Sequence, residues 1–223
     1  MVLAASASSF AQRRAQMVAE QIERRGIHDP AVLAAMRQVP RECFVSAEYR
    51  EFAYDDTPLP IPARQTISQP FVVALMIDAL LLQPTDHVLE VGAGSGYAAA
   101  VMSRIAATVV TVERHAVLVE AARHRLAALG YHNVTVCLGD GTRGVPEYAP
   151  YQAIVVAAGG PRVPPALKEQ LALHGRLVMP VGEQRRQQSL MRFQRVSETL
   201  FVEEELLPVA FVPLIGYAGW RSD

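Results

Sequence analysis

The chain has little that would tie it to a disulfide framework, a membrane or a nucleic acid. Only two cysteines occur in 223 residues, Cys43 and Cys137, far apart and each beside apolar neighbours. That is the pattern of buried thiols in a reducing compartment. No run of about 18 apolar residues is present, so a membrane-spanning helix is not expected. The opening MVLAASASSFAQRR has neither a basic start nor a sustained apolar core, which makes it a poor secretory signal and points to the cytoplasm. Charge of one sign is missing as well: 21 Lys and Arg face 22 Asp and Glu, a formal net of -1. The balance excludes the basic excess of a nucleic-acid binder. Six histidines, His28, His87, His115, His124, His132 and His174, are scattered without metal-ligand spacing, and no metal is expected. No internal repeat, low-complexity tract or inter-domain linker interrupts a composition that is 51% apolar. The length and composition suit one domain with a substantial core.

What is there falls into two regimes. Residues 12–25 read as an amphipathic helix stopped by Gly26, and Asp29 with Pro30 resembles an N-cap and first-turn pair for a helix running toward Val39, which Pro40 ends. The proline-heavy string YDDTPLPIP, residues 54–62, reads as loop. A polar packet, QTISQP, then precedes PFVVALMIDALLL, a largely buried helix with proline in its first turn. From Asp86 the pattern changes to short apolar runs at 87–91, 108–112, 134–138, 153–157 and 176–181, with helix candidates at 97–106, 116–129 and 165–173. That alternation is the βαβ rhythm of a mostly parallel open sheet with helices on both faces. Residues 189–196 and 200–209 follow without a helix between them, which predicts antiparallel strands at one edge. The fold class is α/β, a single domain in three stretches: residues 1–10 without fixed order, 11–85 with N-terminal helices and a substrate-side loop, and 86–223 with the sheet.

VLEVGAGSGY, residues 88–97, places Gly92, Gly94 and Gly96 directly after the first strand of the alternation and before a helix. Glycines there let backbone approach a ligand closely. The spacing is GxGxG, whereas the dinucleotide fingerprint is GxGxxG, so an NAD-type oxidoreductase is the weaker reading. No GK[ST] follows, which excludes a P-loop. Three acids stand at successive strand ends: Glu90 just before the loop, Glu113 where an acid takes ribose hydroxyls, and Asp140 between Gly139 and Gly141, where it can accept from an adenine amino group. A ligand with an adenosine and no pyrophosphate fits best.

EVGAGSGY, TVER and GDG together resemble the S-adenosylmethionine pocket of class I methyltransferases. The chain is similar nearly end to end to one family in that class, the protein-L-isoaspartate O-methyltransferases. The similarity runs through MVAEQIERRGIHDPAVLAAMRQVPRECFV, AYDDTPLPI, QTISQPFVVALM, GDGTRGVPEYAPYQAIVVAAGGPRVPPAL, GRLVMPVG and FVPLIG. The resemblance implies a Rossmann-like fold, S-adenosyl-L-methionine as methyl donor with S-adenosyl-L-homocysteine as product, and isoaspartyl-containing proteins and peptides as substrates. It implies cofactor contacts from Glu90, Gly92, Gly94, Gly96, Glu113, Asp140 and Gly141. Ser68 matches the serine that the family treats as its active-site residue.

A carboxylate nucleophile is ionised at neutral pH and needs no general base, so positioning donors matter more than acids and bases. Thr66 and Ser68 supply hydroxyls at alternate positions and, if extended, face the same side. Ile61, Arg64 and Gln65 complete the expected substrate-side segment. Where the family usually has IGxGQTIS, this chain has Pro62 and Arg64 in the glycine positions. Arg64 either strengthens carboxylate binding or faces solvent. Trp220 either packs over the cofactor mouth or caps the core. A monomer is expected. A non-catalytic relative that binds the cofactor as a sensor, and a methyltransferase for another carboxylate, stand as alternatives.

Overall fold

The computed structural model describes residues 2–185 and 187–221, with the side chains of residues 2–9 left aside. The expectation about order in residues 1–10 therefore falls mostly outside the described side chains. Helix α1 (Val2–Met17) continues through a π-helical turn, Val18–Ile22, and a 3₁₀ turn, Glu23–Arg25, before Gly26 at φ 98° stops it. The change of winding keeps Val18 and Ile22 fully buried. In α2 (Pro30–Gln38), Asp29 caps the first turn by accepting from Ala31 N and Val32 N. The cap and the proline do at this position what the sequence predicts.

Strands β1 (Leu59–Ile61) and β2 (Gln65–Ile67) form an antiparallel ribbon where loop was expected for residues 54–62. A two-stranded ribbon has an open edge on either side, which is where a strand tolerates proline. Its turn holds Ala63 and Arg64 in the left-handed region, at φ 59° and 57°. Each costs a non-glycine residue about 1 kcal/mol. Arg64→Gly is expected to raise stability by about 0.5 to 1 kcal/mol, after allowing for the freer unfolded chain, and chemical denaturation reads the change.

Helix α3 (Pro70–Ala79) leads into the main sheet, whose strands are β3 (His87–Val91), β4 (Thr108–Glu113), β5 (Val134–Leu138), β6 (Tyr151–Val156), β7 (Leu171–Gln184), β8 (Gln187–Arg195) and β9 (Phe201–Val209). The spatial order is β5-β4-β3-β6-β7-β8-β9, parallel from β5 to β7 and antiparallel for β8 and β9. Helices α4 (Tyr97–Met102) and α5 (Ala116–Ala128) join the N-terminal helices on one face, while α6 (Pro165–Gln170) packs on the other. Alternate strand residues feed the two layers: Val88, Val109 and Val155 go to the first, Leu89, Val110 and Ile154 to the second. Each such fully buried aliphatic side chain contributes about 1.5 to 3 kcal/mol.

Residues 171–173, expected to end a helix, instead begin β7. Tyr151 pairs with Leu171 and Ala153 with Arg176, a bulge that contains His174 at φ 65° and Gly175. The extra residues are absorbed in the strand rather than the helix. On the outer strand, Glu203, Glu204 and Glu205 are exposed, as expected for an edge. The stretch GEQRRQQ reads in sequence as a solvated hairpin turn; Arg185 sits at the β7–β8 turn, its guanidinium 5.8 Å from the Trp220 ring, while Arg186 lies outside the described residues.

Chain direction across the sheet reverses between β3 and β6. From β3 the chain moves to β4 and β5, then crosses back to β6 on the other side. In open α/β sheets ligands bind in the crevice at such a switch, outside the strands' carboxyl ends.

Candidate active site

One cleft occupies that crevice. It is bordered by Glu90 and Val91 at the end of β3, Val112 and Glu113 at the end of β4, and Ala157 and Ala158 after β6, with the β2 segment opposite. Gln65, Thr66, Ile67 and Ser68 all line it, so the lining does not single out the alternate residues Thr66 and Ser68. The two walls meet at the ribbon: Ile61 Cδ1 is 3.3 Å from where a Cβ on Gly94 would stand. Arg64 is exposed on the turn and borders no part of the cleft.

The glycine loop turns by means of three left-handed residues, Gly92 at φ 96°, Gly94 at 53° and Gly96 at 86°. Gly92 N donates to Val112 O at 2.8 Å, fastening the loop to β4. Gly92 and Gly94 face the cleft, whereas Gly96 packs inward, with Leu126 of α5 3.3 Å from where its Cβ would be. Gly141 also lines the cleft; a Cβ there would stand 2.4 Å from Val91 Cγ1.

Glu113 organises this wall. Its Oε2 accepts from Gly94 N at 3.1 Å and its Oε1 from His115 N at 2.9 Å. Each oxygen keeps a further lone pair for a ligand hydroxyl. Glu90 is 1% exposed and accepts from the Thr111 hydroxyl at 2.6 Å. Burial pushes its carboxyl up to about 8, the Thr111 bond pulling it down and the Glu113 charge pushing it further up. Asp140 stands in an adjoining recess with Arg114, Leu138 and Ile215. Its Oδ1 accepts from Thr142 N and the Thr142 hydroxyl, at 2.9 and 2.7 Å, and its Oδ2 from Tyr217 N at 2.8 Å. Partial burial pushes this carboxyl up, but the bonds from Tyr217 and Thr142 outweigh it and hold the group below its ordinary range.

Sequence reasoning gave no role to the segment that closes the cleft from the C-terminal side. Val212, Pro213, Leu214 and Ile215 line it, held by Gly159 N to Val212 O at 2.8 Å and Leu214 N to Gly159 O at 2.7 Å. Its signal was the string FVPLIG, present in the resemblance but without a chemical reading. Trp220 is absent from the cleft lining and donates from Nε1 to Gly159 O at 3.0 Å, pinning the same segment. Among the described residues no group of three His, Cys, Asp or Glu side chains is placed to hold a metal ion, and no helix is long and apolar enough to cross a membrane.

Residues 12–219 match the protein-L-isoaspartate (D-aspartate) O-methyltransferase family. The chain belongs to that family. A protein-L-isoaspartate O-methyltransferase of Rhodopseudomonas palustris is 60% identical over 206 residues, covering 92% of this chain and 94% of the relative. One from Pelobacter propionicus is 59% identical over 208 residues, covering 93% and 92%. A solved protein-L-isoaspartate O-methyltransferase superposes with a TM-score of 0.84 at 32% identity, over 92% of this chain and 67% of the other. A Plasmodium falciparum structure assigned to the family and solved with S-adenosyl-L-homocysteine gives 0.77 at 27% identity, over 91% and 98%. The isoaspartate methyltransferase fold thus extends through the N-terminal helices, the β1–β2 ribbon and the C-terminal segment that border the cleft.

The residues present fit S-adenosylmethionine. A carboxylate with spare lone pairs suits ribose hydroxyls, two cleft-facing glycines leave room for a close approach, and buried Glu90 offers a counter-charge to a cation. A raised carboxyl holds its proton more tightly when folded, so its contribution to stability is fullest below about 4.5 and is lost as pH rises through about 8. Glu90→Gln is expected to stabilise the ligand-free protein by up to about 5 kcal/mol at alkaline pH and to converge with the parent near pH 5. The same substitution should weaken S-adenosylmethionine binding at every pH, and should abolish the several-fold tightening expected of the parent between about pH 6 and 8. Thermal melts and calorimetric titrations across pH check both.

Proposed function

We infer that the protein transfers a methyl group from S-adenosylmethionine to the free α-carboxylate of L-isoaspartyl residues in damaged proteins and peptides. The observation that carries the reading is the facing of two walls across one cleft: hydroxyls from Thr66 and Ser68 on one side, the glycine loop with Glu90 and Glu113 on the other. S-adenosylmethionine, when bound, supplies an electrophilic methyl on a sulfonium. Everything else falls to the chain.

Glu113 takes ribose hydroxyls while keeping Gly94 N and His115 N in place, and the backbone at Gly92 and Gly94 admits the ligand closely. Glu90, once ionised, holds the cationic end. Asp140 contributes through the recess, where its bonds to Tyr217 and Thr142 join the adenine side to the C-terminal segment. Thr66 and Ser68 donate to the substrate carboxylate and hold it in line. The carboxylate has a pKa near 4 and arrives ionised, so no proton needs to be taken. Orientation and removal of water from the attacking oxygen are what remain, and Ile67, Val73 and Leu214 supply the dry lining. The neighbouring backbone nitrogen of the product then attacks the methyl ester, methanol leaves, and the succinimide forms without further help from the protein. The two free thiols suit the cytoplasm.

Incubation with methyl-labelled S-adenosylmethionine and matched isoaspartyl and aspartyl peptides tests the reading. Label is expected in the isoaspartyl peptide alone. Binding of the cofactor without transfer to either peptide would overturn it.

A further inference from the structure

Arg41 is 0% exposed, yet the acids and hydroxyls assigned to the reaction do not account for it. Its Nε donates to Ala53 O at 2.7 Å and its Nη2 to Ser68 O at 2.8 Å. The guanidinium carbon lies 4.8 Å from the centroid of the Tyr97 ring, on the first residue of the helix that follows the glycine loop. One side chain therefore touches the substrate wall and the cofactor wall together. Its Nη1 has no hydrogen-bond partner among the described residues, and no carboxylate there forms an ion pair with it. Asp56, whose field reaches it, is paired through Oδ2 with Arg25 at 2.7 Å while its Oδ1 is buried without a hydrogen-bond partner, and the Tyr97 side chain also interacts favourably with the guanidinium. Burial lowers the pKa of Arg41, the direction expected of a cation without a direct counter-charge.

Tying two carbonyls together requires donors, and a neutral amide has them. A net charge buried without an ion partner is expensive, so the charge itself asks for a use. We propose that Arg41 is a positioning residue for the substrate carboxylate, fixing the backbone of Ser68 and setting a positive charge behind the place where the anion lies. The field acts through protein rather than water, where a charge is felt most strongly. The other cations nearby are less suited: Arg114 lines the cleft beside Glu113, on the ribose side, and Arg64 is exposed on its turn where solvent screens it. An arginine also stays charged when buried, which a lysine does less reliably.

The proposal rests on the isoaspartyl reading, and its test separates the two. Two peptides that differ only in bearing the isoaspartyl α-carboxylate or its α-carboxamide are titrated calorimetrically into protein saturated with S-adenosylhomocysteine. The parent is expected to prefer the carboxylate; no preference would count against the isoaspartyl reading. In Arg41→Met the preference is expected to shrink by about tenfold or more, with S-adenosylhomocysteine affinity within about threefold. Arg41→Lys loses the fork, so kcat is expected to fall about tenfold as Ser68 loses its anchor. A parent that discriminates and an Arg41→Met protein that discriminates equally well would reduce Arg41 to a structural clamp. Should Arg41→Met fail to fold, Arg41→Gln supplies a neutral side chain that still has donors, and a folded Arg41→Gln protein that prefers the carboxylate as strongly as the parent would overturn the proposal.

Discussion

Glu113→Ala is expected to weaken S-adenosylmethionine binding by about a hundredfold while leaving the peptide-side wall untouched. Two contributions add. Hydrogen bonds to an ionised group are worth about 1.5 to 3 kcal/mol each, and the ribose loses such an acceptor outright. Gly94 N and His115 N lose theirs as well, so the loop no longer arrives in position before the ligand does. Glu113→Gln retains one acceptor oxygen and should fall between the parent and the alanine protein. Equilibrium titration with S-adenosylhomocysteine reads all three. An alanine protein that binds within threefold of the parent would remove Glu113 from the cofactor wall.

Ser68→Ala should show the opposite division. Loss of one donor to a charged oxygen predicts a turnover lower by about 10- to 100-fold, with cofactor affinity within about threefold. Thr66→Ala is expected to fall less, because Thr66 is the more exposed of the two hydroxyl residues and water can replace it. Initial rates at saturating S-adenosylmethionine, together with the binding titration, distinguish the cases. If Ser68→Ala and Glu113→Ala lowered cofactor affinity alike, the assignment of separate walls to substrate and cofactor would be wrong.

The parallel core was legible because its signals are local and strong. Short runs with two valines each predicted 87–91 and 134–138, and β3 and β5 have those bounds, although β3 is central and largely buried while β5 lies at the sheet edge and is only partly covered. The Asp29–Pro30 start and the Gly26 stop were equally plain, each a property of one or two residues. The β1–β2 ribbon was not, because prolines depress a strand reading and only the facing strand shows that they sit on open edges. Residues 171–173 were misread for a similar reason: LAL suits a helix as well as a strand, and pairing with Tyr151 decides.

Glu90 and Glu113 were singled out by their place at strand ends beside the glycines, Thr66 and Ser68 by their hydroxyls and the family resemblance, and all four border the cleft. The distinction between Gly94, which faces the cleft, and Gly96, which packs on Leu126, was not, since both are required at positive φ. The C-terminal border of the cleft was hidden by distance in sequence. Leu214 and Gly159 are brought together by backbone bonds across the whole second half of the chain, and no local pattern encodes such a meeting. Arg41 was passed over because an arginine in a turn is ordinarily solvated.

The outer strand bears on the company such an enzyme keeps. Aged and partly unfolded clients present ragged, unpaired strands at every turnover, and a bare sheet edge invites them to join it. Phe201–Val209 answers with three consecutive glutamates and Pro208, so a passing strand meets repulsion and a missing donor instead of a template. The rim thereby disfavours the addition of a further strand.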